Sequence, residues 1–327
     1  MPTYIILQNP GHNRVYFKAA RALALVELEL AGKKMSTAPT HLREEIIGGI
    51  PYLLFDAEPL ADADILLLSR LSFVYGIFEK KNDSLMPLEK NPKYFFEDDD
   101  IITILKYNGK TNEIFTRLMV NVAAFFNASK HSLNILDPLC GKGTSLFDGL
   151  LCGHNVSGIE LDEKIVHEAY IFLKKYLENA RCKHSSHQQR QGMEKYTAKR
   201  YQLNLPQTKI EFIAGDTRDT GLFYRKNSFD VIVGDLPYGV QHASKKNKDK
   251  SRNALPLLEE ALPAWHKVLK PGGTITLAWN LLLIERVEME SVLEKNGFKL
   301  AMLQGDDTFI HRVDQAIMRD LIVGIKS

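Results

Sequence analysis

The sequence predicts an α/β chain in two parts, a small α+β unit followed by a larger domain with a parallel sheet and helices on both faces. Two of the observations that predict this fold class come from the larger domain. Short apolar runs alternate with helical patterns from about Lys106 onward, and several of these runs end in an acidic residue. A third observation is the mixed order of strands and helices in the first hundred residues. The predicted domains are residues 1–100 and 106–327.

The first domain is predicted from three strands and two helices. The strands lie in the segments TYIILQN, IPYLLFDAE and SFVYGIFEK, and the helices lie in VYFKAARALALVELEL and ADADILLLSRL. The helical segments place apolar residues at helical spacing and are rich in good helix formers. Gly48 and Gly49 mark the break before the second strand, and the acidic run at 97–100 is predicted to be a linker.

The second domain opens with a helix predicted over residues 111–126, with Thr111 and Glu113 at its start as capping residues. The next elements are LNILD, SLFDGLLC, NVSGIE, EKIVHEAYIFLKKYL, IEFIAGD, DVIVGD, PLLEEALPAWHKVL, TITLAWN and VEMESVLEKN. The strands FKLAML and AIMRDLIVGI follow, and this final pair would add an antiparallel edge to the sheet.

Composition indicates an ordinary globular protein, with 45% apolar residues, 25% charged residues and a formal net charge of +2. We expect no membrane span, because no apolar stretch approaches the roughly 20 residues required, and no signal peptide. The three cysteines form no CxxC pair, so a reducing, cytoplasmic location is expected. Cys182, His184 and His187 have metal-like spacing, but structural zinc takes four ligands, so no metal is predicted.

A glycine-rich turn follows the first strand of the second domain. Asp137 ends the strand, and Gly141 and Gly143 then precede a helix, an arrangement that lets a ligand approach the backbone and the free N–H groups of the helix. The turn is not a dinucleotide fingerprint, since Leu146 stands where a third glycine is required, and no P-loop pattern occurs. The turn alone therefore leaves the ligand open.

The next strands also end in acids. Glu160 could accept the hydroxyls of a ribose, although an acid at a helix start is an alternative. Asp216 could accept from an adenine amine. In DVIVGDLPYG, Asp235 supplies an acceptor and Tyr238 a flat stacking surface, which suit a planar base with an exocyclic amine; a strand followed by a proline turn is the alternative.

Two basic segments could contact the phosphates of a nucleic acid. Residues 174–201 contain eight Lys and Arg side chains with tyrosines between them, and they lengthen the crossover between two strands. Residues 245–252 follow the Tyr238 loop directly, which favours phosphate contact; a solvated loop without a ligand is the alternative. The residues of this second segment that are predicted to contact phosphates are Lys245, Lys246, Lys248, Lys250 and Arg252.

The motifs DPLCGKGT, GIELD, AGD and DLPYG resemble those of class I S-adenosylmethionine-dependent methyltransferases. The closest resemblance in pattern is to the tRNA guanosine-N2 methyltransferases that act at position ten, and it covers most of the chain. It implies a Rossmann-like, seven-stranded α/β sheet, a ferredoxin-like N-terminal domain and S-adenosylmethionine as cofactor. It also implies RNA as partner, tRNA before ribosomal RNA, and leaves a small protein partner or a homodimer open.

The resemblance carries roles to individual residues. The implied cofactor-binding residues are Asp137, Pro138, Cys140, Gly141, Gly143, Thr144, Glu160, Leu161, Asp216, Thr217, Asp235 and Thr116. The implied catalytic residues are Asp235, Pro237 and Tyr238.

Two departures from the family pattern concern the substrate. Leu236 replaces the first proline of the (D/N)PP(Y/F) motif, and the segment between Lys80 and Lys106 is too short for the RNA-binding THUMP domain that these enzymes usually carry. Two alternative functions therefore stay open. One is an adenine-N6 methyltransferase acting on RNA or DNA, and the other is a catalytically silent RNA-binding subunit with the same fold.

Overall fold

The computed structural model describes residues 1–9, 14–82, 84–88, 101–104, 110–127, 132–238, 254–301 and 309–327, with the backbone alone for 14–20. The predicted acidic linker at 97–100 and the basic segment at 245–252 lie outside the described residues. The described strands form two sheets, one of five strands and one of ten.

The five-stranded sheet belongs to the N-terminal part. Its elements are β1 (Thr3–Gln8), α1 (Arg14–Gly32), β2 (Thr40–Ile47), β3 (Ile50–Asp56), α2 (Asp62–Ser69), β4 (Val74–Lys81) and β5 (Ser84–Pro87). The strand order is β2-β3-β1-β4-β5, and every pair is antiparallel. The path β1-α1-β2-β3-α2-β4 is ferredoxin-like, which confirms the predicted fold of this domain, with β5 added at one edge.

Strand β2 was not predicted. Its residues are mostly exposed at the edge of the sheet, so the alternation of apolar and polar side chains that indicates a strand is missing. Gly48 and Gly49 form the two-residue turn between β2 and β3, with φ values of +60° and +82°. Two consecutive positive φ angles are typical of the tightest hairpin turns, so these glycines join two strands.

The second sheet is built from a longer set of elements. They are α3 (Ile101–Ile104), α4 (Glu113–Phe126), β6 (Asn134–Asp137), α5 (Thr144–Leu151), β7 (Asn155–Glu160), α6 (Glu163–Asn179), β8 (Ser185–Gly192), β9 (Thr197–Asn204), β10 (Lys209–Ala214), α7 (Thr220–Phe223), β11 (Phe229–Asp235), α8 (Leu255–Val268), β12 (Leu269–Asn280), α9 (Arg286–Lys295), β13 (Phe298–Leu300), β14 (His311–Arg312) and β15 (Met318–Lys326).

The strand order of this sheet is β13-β15-β12-β11-β6-β7-β10-β9-β8, and β14 pairs with β15. The five strands from β12 to β10 are parallel, and β15 runs antiparallel between β12 and β13. Together these seven strands form the predicted seven-stranded α/β sheet, including its antiparallel edge. The Rossmann-like fold class is therefore confirmed.

The basic crossover at 174–201 contains a β-hairpin that the sequence did not predict. Strands β8 and β9 pair with each other, and β9 pairs with β10, so they extend the sheet by two antiparallel strands. Strand β9 buries Ala198, Tyr201 and Leu203, whereas β8 has the sequence SSHQQRQG and is exposed along almost its whole length. Because β8 has no apolar side chain, its sequence lacks the period-two signal of a strand.

The two domains share a buried interface along α1 and α4. Glu27 is fully buried and accepts hydrogen bonds from the Ser72 backbone N–H (3.1 Å), the Ser72 hydroxyl (2.5 Å) and the Asn121 side chain (2.7 Å). Leu23 of α1 and Ile101 of α3 lie in the same buried cluster as the core of the second sheet. The predicted boundary between residues 100 and 106 stays a prediction, since it falls partly on residues outside the described ranges.

Candidate active site

Four acidic side chains lie at the carboxyl edge of the parallel sheet. Asp137, Glu160 and Asp235 are the last residues of β6, β7 and β11, and Asp216 follows the end of β10. These strands are neighbours in the order β11-β6-β7-β10, so the acids stand along one edge. The structure therefore brings together the four acids that the sequence identified.

Asp137 is held beneath the glycine-rich turn. Its carboxylate accepts from the Ser145 hydroxyl and from the Leu139 backbone N–H at 2.9 Å. Burial raises the pKa of Asp137 to about 7, and the nearby Asp235 and Glu160 carboxylates act in the same direction. Asp137 thus changes charge near neutral pH, whereas an exposed aspartate would be ionised throughout that range.

The turn itself depends on glycine. Gly141 and Gly143 have φ values of +50° and +86°, and no described atom lies within 4 Å of the position a Gly141 side chain would occupy. The turn leaves an open approach to the backbone there, next to the start of α5 at Thr144. Cys140 is packed against Gly158 of β7, where a side chain would collide with its sulfur. Burial raises the pKa of the Cys140 thiol, so this cysteine is a neutral packing residue.

Glu160 lies beside the turn and is partly accessible. Its carboxylate accepts from the Asp162 backbone N–H at 2.9 Å, and burial raises its pKa. Asp162 also caps α6, so the helix-start role weighed for Glu160 is filled by another residue. Leu161, which directly follows Glu160, is an apolar residue with 72% of its surface exposed at this edge.

Asp216 is engaged by a residue outside the predicted set. Arg218 donates to both of its carboxylate oxygens and also contacts Glu260, and the hydrogen bond from Arg218 lowers the pKa of Asp216. A carboxylate can accept further hydrogen bonds, so Arg218 fills only part of its capacity. Thr217 is buried and its hydroxyl accepts a hydrogen bond from the Trp265 side chain; its predicted cofactor contact stays a prediction.

Tyr196, at the tip of the β8–β9 hairpin, supports the same loop. Its hydroxyl accepts from the Asp216 backbone N–H at 2.9 Å and donates to the Asp219 carboxylate at 2.8 Å. The sequence placed this tyrosine in a basic segment, and only the strand pairing reveals that it reaches the carboxyl edge. The hairpin is therefore connected directly to the loop that holds Asp216.

Asp235 receives a hydroxyl donor on each carboxylate oxygen. Thr111, at the start of α4, donates to Oδ2, and Tyr238 donates to Oδ1. Burial and the Asp235 charge raise the pKa of the Tyr238 phenol well above its ordinary value, so the hydroxyl stays protonated as a donor. Thr111 was predicted to cap α4, but Asn112 is the cap, accepting from the Ile114 backbone N–H at 2.9 Å.

A buried arginine, Arg319, packs against the rings of Phe115 and Tyr238. The Arg319 guanidinium carbon lies 4.3 Å from the centre of the Phe115 ring and 4.9 Å from that of Tyr238. Arg319 comes from β15 and is only 3% exposed. Thr116, a predicted cofactor contact, is also buried and donates to the Asn112 carbonyl within its own helix. Neither Thr111 nor Arg319 was predicted to be a site residue, because nothing in the local sequence around them distinguishes them.

Leu236 and Pro237 complete the motif at the end of β11. Leu236 is 2% exposed within a hydrophobic core, and its backbone N–H donates to Ala278 of β12 at 2.9 Å. Pro237 is exposed at the edge next to Asp235.

In the described part of the chain, no group of three or more His, Cys, Asp or Glu residues could hold a metal ion. None of the described helices is long and apolar enough to cross a membrane.

Comparison with known proteins identifies the family. A family model described as "RMKL-like, methyltransferase domain" matches residues 105–305. A curated tRNA (guanine(10)-N2)-dimethyltransferase from Methanothermobacter thermautotrophicus is 27% identical over 172 residues, which are 53% of this chain but only 39% of that protein. The family match confirms the predicted methyltransferase class and, with it, S-adenosylmethionine as cofactor.

Solved structures are similar at lower identity. TrmN from Thermus thermophilus is 15% identical, with 88% of this chain and 59% of that chain covered and a TM-score of 0.43. Magnesium protoporphyrin IX methyltransferase from Synechocystis is 14% identical, with 68% and 87% covered and a TM-score of 0.41.

Proposed function

The chain belongs to this methyltransferase family, and on that premise we propose that it methylates an exocyclic amine of a base in RNA, with N2 of guanosine in tRNA as the target. The observation that supports this most directly is the Asp235 carboxylate at the end of β11, held between two hydroxyl donors beside a tyrosine ring. The name of the relative from Methanothermobacter thermautotrophicus supports guanine over adenine. We also propose RNA as the partner and a cytoplasmic location, while a protein partner or a homodimer stays a prediction.

The groups at the carboxyl edge suit the chemistry of S-adenosylmethionine. This cofactor supplies a methyl group on a positively charged sulfonium. Glu160 would hold the ribose hydroxyls and Asp216 the adenine amine, with the exposed Leu161 side chain against the adenine ring. The open side of Gly141 would receive the cofactor close to the backbone, which a side chain at this position would obstruct.

Asp235 would act on the substrate amine. Hydrogen bonds from the amine to the carboxylate favour a more tetrahedral and more nucleophilic nitrogen. The amine would donate to the carboxylate oxygen that Tyr238 contacts in the structure, and the Tyr238 hydroxyl would move aside so that its ring can face the base. Thr111 would keep the carboxylate oriented from the other side. Alignment of this kind accounts for a large part of catalysis, on the order of 7–11 kcal/mol.

Once released, the Tyr238 ring is available for the base. Stacking of a base on an aromatic side chain contributes roughly 1–3 kcal/mol per base. A base within an RNA helix would first leave the stack, because its amine is otherwise out of reach. The exposed Pro237 would border the same space.

Nucleoside mass spectrometry tests the proposed reaction. The full chain is incubated with S-adenosylmethionine and an in vitro transcribed tRNA, and the RNA is digested and measured. We expect N2-methylguanosine with the wild type, a loss of at least 100-fold in Asp235→Asn, and no change in Asp62→Asn, an exposed aspartate of the N-terminal domain. N6-methyladenosine would establish the alternative base specificity, and calorimetric binding of S-adenosylmethionine without any methylated nucleoside would establish a silent subunit.

A further inference from the structure

Several exposed basic side chains on and near the β8–β9 hairpin form no ion pair within the described residues. Among the basic residues at 174–201, three pair with carboxylates: Lys174 with Glu178, Lys199 with Glu163, and Arg200 with Glu211. The other five are exposed and form no ion pair within the described part of the chain. These five are Lys175, Arg181, Lys183, Arg190 and Lys195.

Strand β8 is polar on both of its faces. Its side chains include no apolar residue, and all except Gln191 are exposed. An edge strand without an apolar face contributes nothing to the hydrophobic core, so its composition is free to serve a polar or charged ligand. Together with β9 it lines a polar groove formed by Gln188, Gln189, Arg190, Lys199, Arg200 and Tyr201.

The register of the strands directs this surface toward the candidate active site. Arg190 pairs with Lys199, and Lys199 pairs with Ala214, the last residue of β10 before Asp216. The hairpin tip therefore lies at the carboxyl edge, where Tyr196 bonds the Asp216 loop. Arg181 and Lys183 precede the opposite end of β8, and seven residue steps at roughly 3.3 Å make the strand about 23 Å long.

We propose that the β8–β9 hairpin is a docking surface for the phosphate backbone of the substrate RNA, which its basic strip guides to the carboxyl edge of the sheet. This inference rests on the proposed function for the identity of the RNA. The chemistry of recognition is charge complementarity along a polar edge strand, because exposed Lys and Arg side chains bind phosphates without reading sequence. Arg190 lies on this strand of about 23 Å, and Arg181, Lys183 and Lys195 flank its two ends, so together they offer several phosphate contacts.

Two charge-matched variants test the surface. The first combines Arg181→Gln, Lys183→Gln, Arg190→Gln and Lys195→Gln. The control combines Arg225→Gln, Lys226→Gln, Lys295→Gln and Lys299→Gln, which are exposed, form no ion pair within the described residues and lie outside the hairpin. The affinity of the full chain for an in vitro transcribed tRNA is measured without S-adenosylmethionine between 50 and 300 mM salt.

The hairpin variant should bind tRNA about tenfold or more weakly than the wild type at low salt. The slope of log affinity against log salt concentration should become shallower by about 2 to 3, because each lost phosphate contact reduces it by roughly 0.7–0.9. The control should match the wild type, and calorimetric binding of S-adenosylmethionine should be unchanged in both. Equal RNA affinity and equal salt dependence in the two variants would overturn the proposal. It would also be overturned if the wild-type chain had no measurable affinity for tRNA, or if it bound phosphatidylserine vesicles more tightly than tRNA through the same residues. The assay requires no methyl transfer, so hairpin-dependent RNA binding without a methylated product would refute the reaction and leave the surface standing.

Discussion

The charge state of Asp137 should control cofactor affinity near neutral pH. Burial raises the pKa of this carboxyl to about 7, so it is protonated in mildly acidic solution and ionised in mildly basic solution. The cofactor is positively charged and should prefer the ionised site. Its affinity should therefore fall as pH drops through the folded pKa.

The size of the effect follows from the titration. Between pH 7.5 and 5.5, the ionised fraction of a group with a pKa near 7 falls about 25-fold, which corresponds to about 2 kcal/mol of binding free energy. A carboxyl with the usual aspartate pKa would stay ionised over the same interval and would produce almost no change. Binding at pH 5.5 should also release about one proton, and this release should fade by pH 7.5.

Titration calorimetry of S-adenosylmethionine in buffers of different ionisation enthalpy measures both quantities. Asp137→Asn should bind more weakly at pH 7.5 and should lose most of the pH dependence. Asp216→Asn is the matched control at the same edge: since the pKa of Asp216 is lowered, this variant should weaken binding while keeping the wild-type pH profile. An Asp137→Asn profile parallel to that of the wild type would refute the role given to Asp137.

Three further perturbations follow from individual contacts. Thr111→Val removes a hydroxyl donor from Asp235 and should lower kcat by about 10- to 100-fold, since hydrogen bonds to charged groups contribute about 1.5–3 kcal/mol; Thr111→Ser should restore activity, and equal losses in both variants would contradict the orienting role. Tyr196→Phe should weaken cofactor binding about tenfold by freeing the Asp216 loop, and unchanged calorimetry would argue against this link. Burial raises the pKa of Glu27 from 4.5 to about 7, so between these values the folded state keeps a proton that the unfolded state has lost. The free energy of unfolding should therefore fall by about 3 kcal/mol as pH rises through this window. Urea denaturation should show a flatter profile in Glu27→Gln, and an unchanged profile would assign the pH dependence to other groups.

The acidic residues at the ends of the parallel strands are the part of the site that could be predicted from the sequence. Each strand of a parallel sheet ends at the same edge, so Asp137, Glu160 and Asp235 could be brought together from their positions in the sequence alone. The parallel sheet could also be predicted, because buried parallel strands are continuous apolar runs with helices between them.

The remaining features depend on contacts between distant segments. Thr111 meets Asp235 across 124 residues, and Arg319 reaches the site from β15 near the other end of the chain. The strands β2 and β8 are exposed edge strands, and their pairing partners hold them in place without an apolar pattern of their own. Neither kind of feature leaves a local signal in the sequence.

The substitution of Leu236 for the first proline of the family motif has a structural consequence at Asp235. Proline has no backbone N–H, so it could not form the bond that Leu236 donates to Ala278. With leucine, the pairing of β11 with β12 continues past Asp235, and the Leu236 side chain anchors the turn in the core. Asp235 is therefore fixed by the sheet on its backbone and by Thr111 on its carboxylate, and the Tyr238 contact is the one that we expect to change if the proposed base enters.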